Sequence, residues 1–172
     1  GQTVHGNQVI NGDFETGAAE GNESITGWTN SEKKKAVYKI YDGNSVAALP
    51  AFAVLRQQIP ITSWEEDGEN HGYVFSADLN YNSGGYPAFA VTTAFEDGTE
   101  VSRVVNIVRS ASDVTDPETQ ISATLWQWNR LEYDVSPLTE NRDSKLTSVT
   151  VELFGMGGGC EYDNINLYPK AK

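Results

Sequence analysis

Gly72-Tyr-Val-Phe-Ser-Ala-Asp-Leu-Asn-Tyr81 alternates strictly, with Tyr73, Phe75, Ala77 and Leu79 on one side and Val74, Ser76, Asp78 and Asn80 on the other. A period of two belongs to an extended strand, one face of which packs in a core while the other stays wet and polar. Working outward, strand-like runs recur at Val37 to Tyr41, Ser45 to Leu49, Leu55 to Ile59, Ala88 to Phe95, Ser102 to Val108, Leu131 to Val135, Ser148 to Phe154 and Glu161 to Tyr168. Between two of them, Glu96-Asp97-Gly98-Thr99 reads as a hairpin turn in which Gly98 supplies the positive φ. No stretch sustains apolar residues at i, i+3, i+4 and i+7, so helices are not expected. About nine short strands separated by turns predict an all-β chain, folded as an antiparallel sandwich or jelly roll. Ser110 to Ala123 has no period and carries Asp116-Pro117, which predicts a long loop over an edge or rim.

The 172 residues, 38% hydrophobic and 10% aromatic, suffice for one cored domain spanning residues 1–172 despite a mean hydropathy of −0.45. Twelve basic against twenty-four acidic residues leave a net charge of −12. That charge disfavours nucleic acid and anionic lipid surfaces, and no apolar run is long enough to enter a membrane. Glu65-Glu66-Asp67 reads as solvated loop. No signal peptide is recognisable, and a start at Gly1 is what a processed or excised piece would have. Cys160 is the single cysteine, so no intrachain disulfide can form; its neighbours suggest a small buried filler. With only His5 and His71 beside it, a structural zinc cluster cannot be assembled.

Val9-Ile-Asn-Gly-Asp-Phe-Glu15, Thr26-Gly-Trp-Thr29, the Gly72 to Leu79 strand, Trp126-Gln-Trp-Asn-Arg-Leu-Glu-Tyr133 and Glu161-Tyr-Asp-Asn-Ile-Asn-Leu167 stand in that order along nearly the whole chain. Together they resemble the carbohydrate-binding modules of families 4, 9, 16 and 22, although Asn-Gly-Asp-Phe-Glu also opens galactose-binding-like domains of other function. The resemblance implies a galactose-binding-like jelly roll whose terminal strands lie side by side, with a structural calcium where they meet. Glu15 and Asp163 would supply carboxylates, and main-chain oxygens would come from Asp13 and from the loop at Tyr41 to Ser45, with Asp42 and Ser45 as candidates. Calcium takes six to eight hard oxygens, and these residue types suit it. The alternative is that Asp13 and Glu15 cap a turn while Asp163 pairs with a base. Asn11 and Gly12 read as turn formers, and Phe14 and Trp28 as core.

A sugar site needs an exposed aromatic platform beside amide or carboxylate groups. Asp78, Asn80 and Asn82 share a side, and Tyr81-Asn-Ser-Gly-Gly-Tyr86 adds a glycine-bearing turn with a tyrosine at each end. Gln57, Arg103 and Asn106 are further candidates. Trp126 is additional to the family pattern and is the stacking candidate, with packing at the rim as the alternative; Trp128 matches a recurrent, more structural position. On an extended strand both tryptophans lie opposite Leu131, Tyr133 and Val135 unless a bulge intervenes. Trp64, before the acidic Glu65 to Glu69 loop, is expected to be exposed.

The resemblance therefore implies a secreted or cell-surface, monomeric, non-catalytic polysaccharide-binding module, tethered to an enzyme or a cell surface. One alternative is an adhesion or structural domain with the same fold and calcium but no sugar site. The other is a jelly-roll glycosidase or lyase, for which no paired carboxylates or Ser/His/Asp arrangement stand out. The negative charge disfavours an acidic glycan unless calcium bridges it.

Overall fold

The computed structural model describes residues 1–64, 69–140 and 142–171. Two sheets face each other. The first is six-stranded in the order β1(Thr29–Asn30), β4(Ala53–Pro60), β10(Leu146–Gly155), β6(Ala88–Phe95), β7(Glu100–Val108), β8(Gln120–Ser122). The second is five-stranded in the order β2(Val37–Tyr41), β3(Asn44–Leu49), β11(Cys160–Pro169), β5(Tyr73–Tyr81), β9(Asn129–Asp134). One short helix, α1(Ser136–Thr139), follows β9. The fold is thus the all-β sandwich that the alternating pattern predicts.

The quoted strand, β5, shows why. Tyr73, Phe75, Ala77, Leu79 and Tyr81 all point between the sheets and are buried. Phe75 meets Phe89 of the facing sheet at a centroid distance of 4.6 Å, and Val91, Val149, Val151 and Leu153 continue the layer from β6 and β10. Phe14 and Trp28 close one end of the same core, their rings 5.6 Å apart. Cys160 is buried, and burial pushes its thiol far above the ordinary range, which removes it from nucleophilic chemistry.

Three details depart from the sequence reading. The segment from Ser110 to Ala123 is not all loop: a 3₁₀ turn at Ala111–Asp113 precedes β8, which pairs parallel to β7 while the other strand pairs among the described residues are antiparallel. Three residues are too few to carry a visible alternation. Ser76 is not wet either. Its hydroxyl accepts from Asn166 Nδ2, and Asn166 Oδ1 accepts from the Val4 N–H, so the N-terminal segment covers that end of the sheet. Finally, β11 carries a bulge between Asp163 and Asn166, with Asn164 at φ 50. The extra residue switches the inward set from Tyr162 to Ile165 and Leu167.

That handover organises the N-terminus. Gln8 N–H donates to Leu167 O and Ile165 N–H to Gly12 O, so residues 8 to 12 run along the half of β11 that β3 leaves free. A Cβ on Gly12 would fall 2.1 Å from Ile165 O; only glycine permits this approach. Asn11, at φ 50, holds the turn by accepting from Thr16 N–H and donating to Thr26 O.

Candidate functional site

The outer face of the five-stranded sheet is where alternation sends the polar residues, and the strand registers place them in rows. Val37 opposes Ala48, Ala48 opposes Glu161, and Glu161 opposes Asn80. These residues form the floor of a groove of about 590 Å³, within the range of small-molecule and oligosaccharide sites. Lys39 and Tyr41 line it on the β2 side; Pro50, Asn82, Gly159 and Trp126 line it at the loop end.

The groove has an aromatic residue at each side. Tyr41 is 43% exposed, and its hydroxyl donates to Glu161 Oε2. Lys39 Nζ lies 3.7 Å from the same oxygen and 5.1 Å from the Tyr41 ring centroid. The hydrogen bond with Tyr41 and the Glu161 charge hold Lys39 above its ordinary range, while burial and Glu161 raise Tyr41. Lys39 therefore stays an ammonium and Tyr41 a neutral phenol near neutrality. Opposite them, Trp126 is 70% exposed with a left-handed backbone at φ 63, and its N–H donates to Tyr81 O. A bulky residue at positive φ is a strained choice where so little of its ring is buried.

The structure brings four of the sequence-derived sugar candidates to the groove, Asn80, Tyr81, Asn82 and Trp126. Asn82 is partly engaged, donating to Gly158 O and accepting from Gly84 N–H, which shapes the loop at the groove's end. Asp78 lies one row away and is occupied by Arg130 at 2.6 Å and by Asn164 Nδ2 at 2.7 Å. Tyr81 borders the groove. It shares the inward parity of Leu79 and is buried, its hydroxyl donating to Ala123 O at 2.7 Å, so it offers no stacking face. Tyr86 is 64% exposed but outside the groove, beside Met156 and 5.5 Å from the Arg109 guanidinium.

Gln57 and Arg103 belong to the other sheet. Gln57 is buried and clamps both main-chain groups of Ile10, and Arg103 pairs with Glu118 at 2.9 Å. Asn106 also lies on that sheet, in register with Ala88 and Gln120. Trp128 precedes β9 with the parity of Arg130 and is 42% exposed, and Trp126 lines the groove on the outer face, so both tryptophans lie opposite the inward Leu131. Trp64 is half-buried under Lys145, whose Nζ sits 4.7 Å from the ring centroid; Glu65, Glu66 and Asp67 lie outside the described residues. His71 bonds Ser63 and stacks edge-on against Tyr73, away from the groove. The sequence reading missed Tyr41, Lys39 and Glu161. Parity along Lys35, Val37, Lys39 and Tyr41 was available, but which strand neighbours β11 was not.

A second cluster forms where the N-terminal segment meets β3 and β11. The Gly1 amino group donates to Asp13 O at 3.1 Å and to the Glu15 carboxylate, and lies 3.4 Å from Asp163 Oδ2. Ser45 N–H donates to Glu15 and Asn44 Nδ2 to Asp163. Burial alone would raise the Glu15 carboxyl, but the amino group and Ser45 outweigh it and hold it below its usual range. Asp163 is more deeply buried, and there desolvation wins and raises it. Asn164 Oδ1 is buried with no hydrogen-bond partner, and a Cβ on Gly1 would fall 2.0 Å from it, so it points into the same space. Asp42 sits at φ 48 in the β2–β3 turn, and the contacts to the cluster come instead from Asn44 and Ser45. Among the described residues no three His, Cys, Asp or Glu side chains gather as a metal-holding group.

No family model and no curated protein matches the chain. Solved structures do. A family 61 carbohydrate-binding module in complex with β-1,4-galactotriose is 17% identical, with a TM-score of 0.54 over 95% of this chain and 99% of the other. The family 22 xylan-binding domain from Paenibacillus barcinonensis is 13% identical, with a TM-score of 0.56 over 93% of each. Their fold is this chain's fold. Modules of families 4 and 16 share it as well, at TM-scores of 0.54 and 0.55. The enzymatically active domain of bacteriophage CBA120 tailspike protein 4 includes it too, and there the chain spans 22% of that protein. This is the β-sandwich of carbohydrate-binding modules of families 4, 16 and 22, three of the four that the motifs resemble, with family 61 in addition.

Proposed function

We propose that the chain is a non-catalytic module that binds a polysaccharide across the outer face of its five-stranded sheet and carries it to an attached enzyme or cell surface outside the cell. The observation that carries this reading is the groove between Tyr41 and Trp126. It combines two exposed rings, which suit the C–H faces of sugars, with Asn80, Asn82 and Glu161 on the floor, which suit their hydroxyls. Among the described groove residues Glu161 is the one carboxylate, already engaged by Tyr41 and Lys39, whereas glycoside hydrolysis uses two facing carboxyls. The similar modules, one in complex with β-1,4-galactotriose and one a xylan-binding domain, favour the same class.

We also propose a structural calcium at the N-terminal cluster. Glu15, Asp163 and Asp13 O surround one point where the structure has a cationic amino group, and the unpartnered Asn164 Oδ1 lies beside Gly1. Such a set of hard oxygens would hold the ion and join both ends of the chain. The decisive experiment is affinity electrophoresis of the intact protein through gels containing xylan, β-glucan, mannan or galactan. Retardation by at least one, lost in Trp126→Ala, is expected. Free migration through all of them would refute the binding reading, and release of reducing sugar would turn it into an enzyme.

A further inference from the structure

We propose that the β2 side of the groove receives an anionic substituent, in the first place the carboxylate of a uronic acid, so that the bound glycan is acidic. This rests on the polysaccharide-binding reading above. Four of the seven lysines in a chain of net charge −12 fall between residues 33 and 39. Lys33 and Lys34 are exposed in the loop before β2, as a solvated charge run would be. Lys35 and Lys39 differ, because they share the outward parity of Val37 and Tyr41 and both line the groove.

The local balance is opposite to the global one. Against Lys35 and Lys39 the groove sets Glu161 alone, and its Oε2 already takes the Tyr41 hydroxyl and Lys39. Lys33, Lys34 and Lys35 have no ion pair among the described residues. Glu23 borders the hollow on the far side of Lys35, and Glu20 is engaged by the Ile40 N–H. Net charge argued against an acidic glycan, but charges beyond a screening length of about 8 Å at physiological ionic strength contribute little. Ammonium groups in contact with the ligand are not screened in this way, so the two groove lysines decide. Asn80, Asn82 and Trp126 would hold the neutral part of the same chain at the other side.

The test compares glucuronoxylan with its carboxyl-reduced counterpart, and adds polygalacturonate and a sulfated galactan, by isothermal titration of the intact protein at low and physiological ionic strength. Two partly solvated ammonium contacts should give about a tenfold preference for the acidic member of the matched pair, weakening as salt rises. Lys35→Gln/Lys39→Gln should abolish the preference, so that within the variant the acidic polymer and its carboxyl-reduced counterpart bind equally, with a cooperative melt showing that the variant is folded. Binding of polygalacturonate or of the sulfated polymer, lost in the double variant, would support the inference and identify the anion. Equal affinity for the matched pair with no anionic polymer bound, or a preference that survives in the double variant, would overturn the inference and leave polysaccharide binding standing. Absence of binding to any polymer, neutral or acidic, would overturn both.

Discussion

Trp126→Ala separates binding from folding more sharply than any other single change. The ring is 70% exposed, so about a third of a side chain worth roughly 200 Å² is buried in the free protein, and losing that contact costs about 1.5 kcal/mol at 25 cal/mol per Å². Covering the exposed remainder with a sugar ring would contribute up to about 3 kcal/mol by the same coefficient, near a hundredfold in Kd. Trp126→Gly adds a control, because φ 63 strains any residue with a Cβ by about 1–2 kcal/mol and glycine relieves it. The glycine variant should therefore melt close to the wild type yet bind as poorly as the alanine variant. Isothermal titration and thermal melts of the three proteins measure both effects. Unchanged affinity in both variants would refute the platform assignment. A fall in stability well beyond 2 kcal/mol would refute the claim that the ring packs only marginally in the free protein.

Three further outcomes are expected. Phe75→Ala, which removes a fully buried ring packed on Phe89, should cost about 3–5 kcal/mol in denaturant unfolding and leave a protein that binds only to the extent that it folds. Tyr81→Phe strands the buried carbonyl of Ala123 and should cost about 1–3 kcal/mol with little change in sugar affinity; a selective loss of binding would restore Tyr81 to the site. Chelation should lower the melting temperature of the wild type but not that of Glu15→Gln/Asp163→Asn, with sugar affinity nearly constant in both, and identical wild-type melts with and without chelator would remove calcium from the description.

The strand alternation at Tyr73 to Tyr81 was enough to determine the class of fold, because burial acts on each side chain locally and a period of two has one structural meaning. The same alternation already contained Tyr81's inward position, which the glycine-rich turn after it obscured. Tyr86 and Tyr81 flank that turn in sequence, yet one is at the surface outside the groove and the other inside the core. Composition likewise supplied a charge of −12 but not its distribution. Lys39 and Glu161 are 122 positions apart, and they meet because β2, β3, β11 and β5 are neighbours in one sheet. Gln57 and Arg103 have the right chemistry for a sugar site and lie in the opposite sheet for the same reason. Residue type and parity are properties of a segment, so the sequence by itself determined the sandwich and its two-faced strands. Which strands lie side by side depends on loop closures and on the bulge in β11, and only the tertiary structure decided which polar faces share a groove.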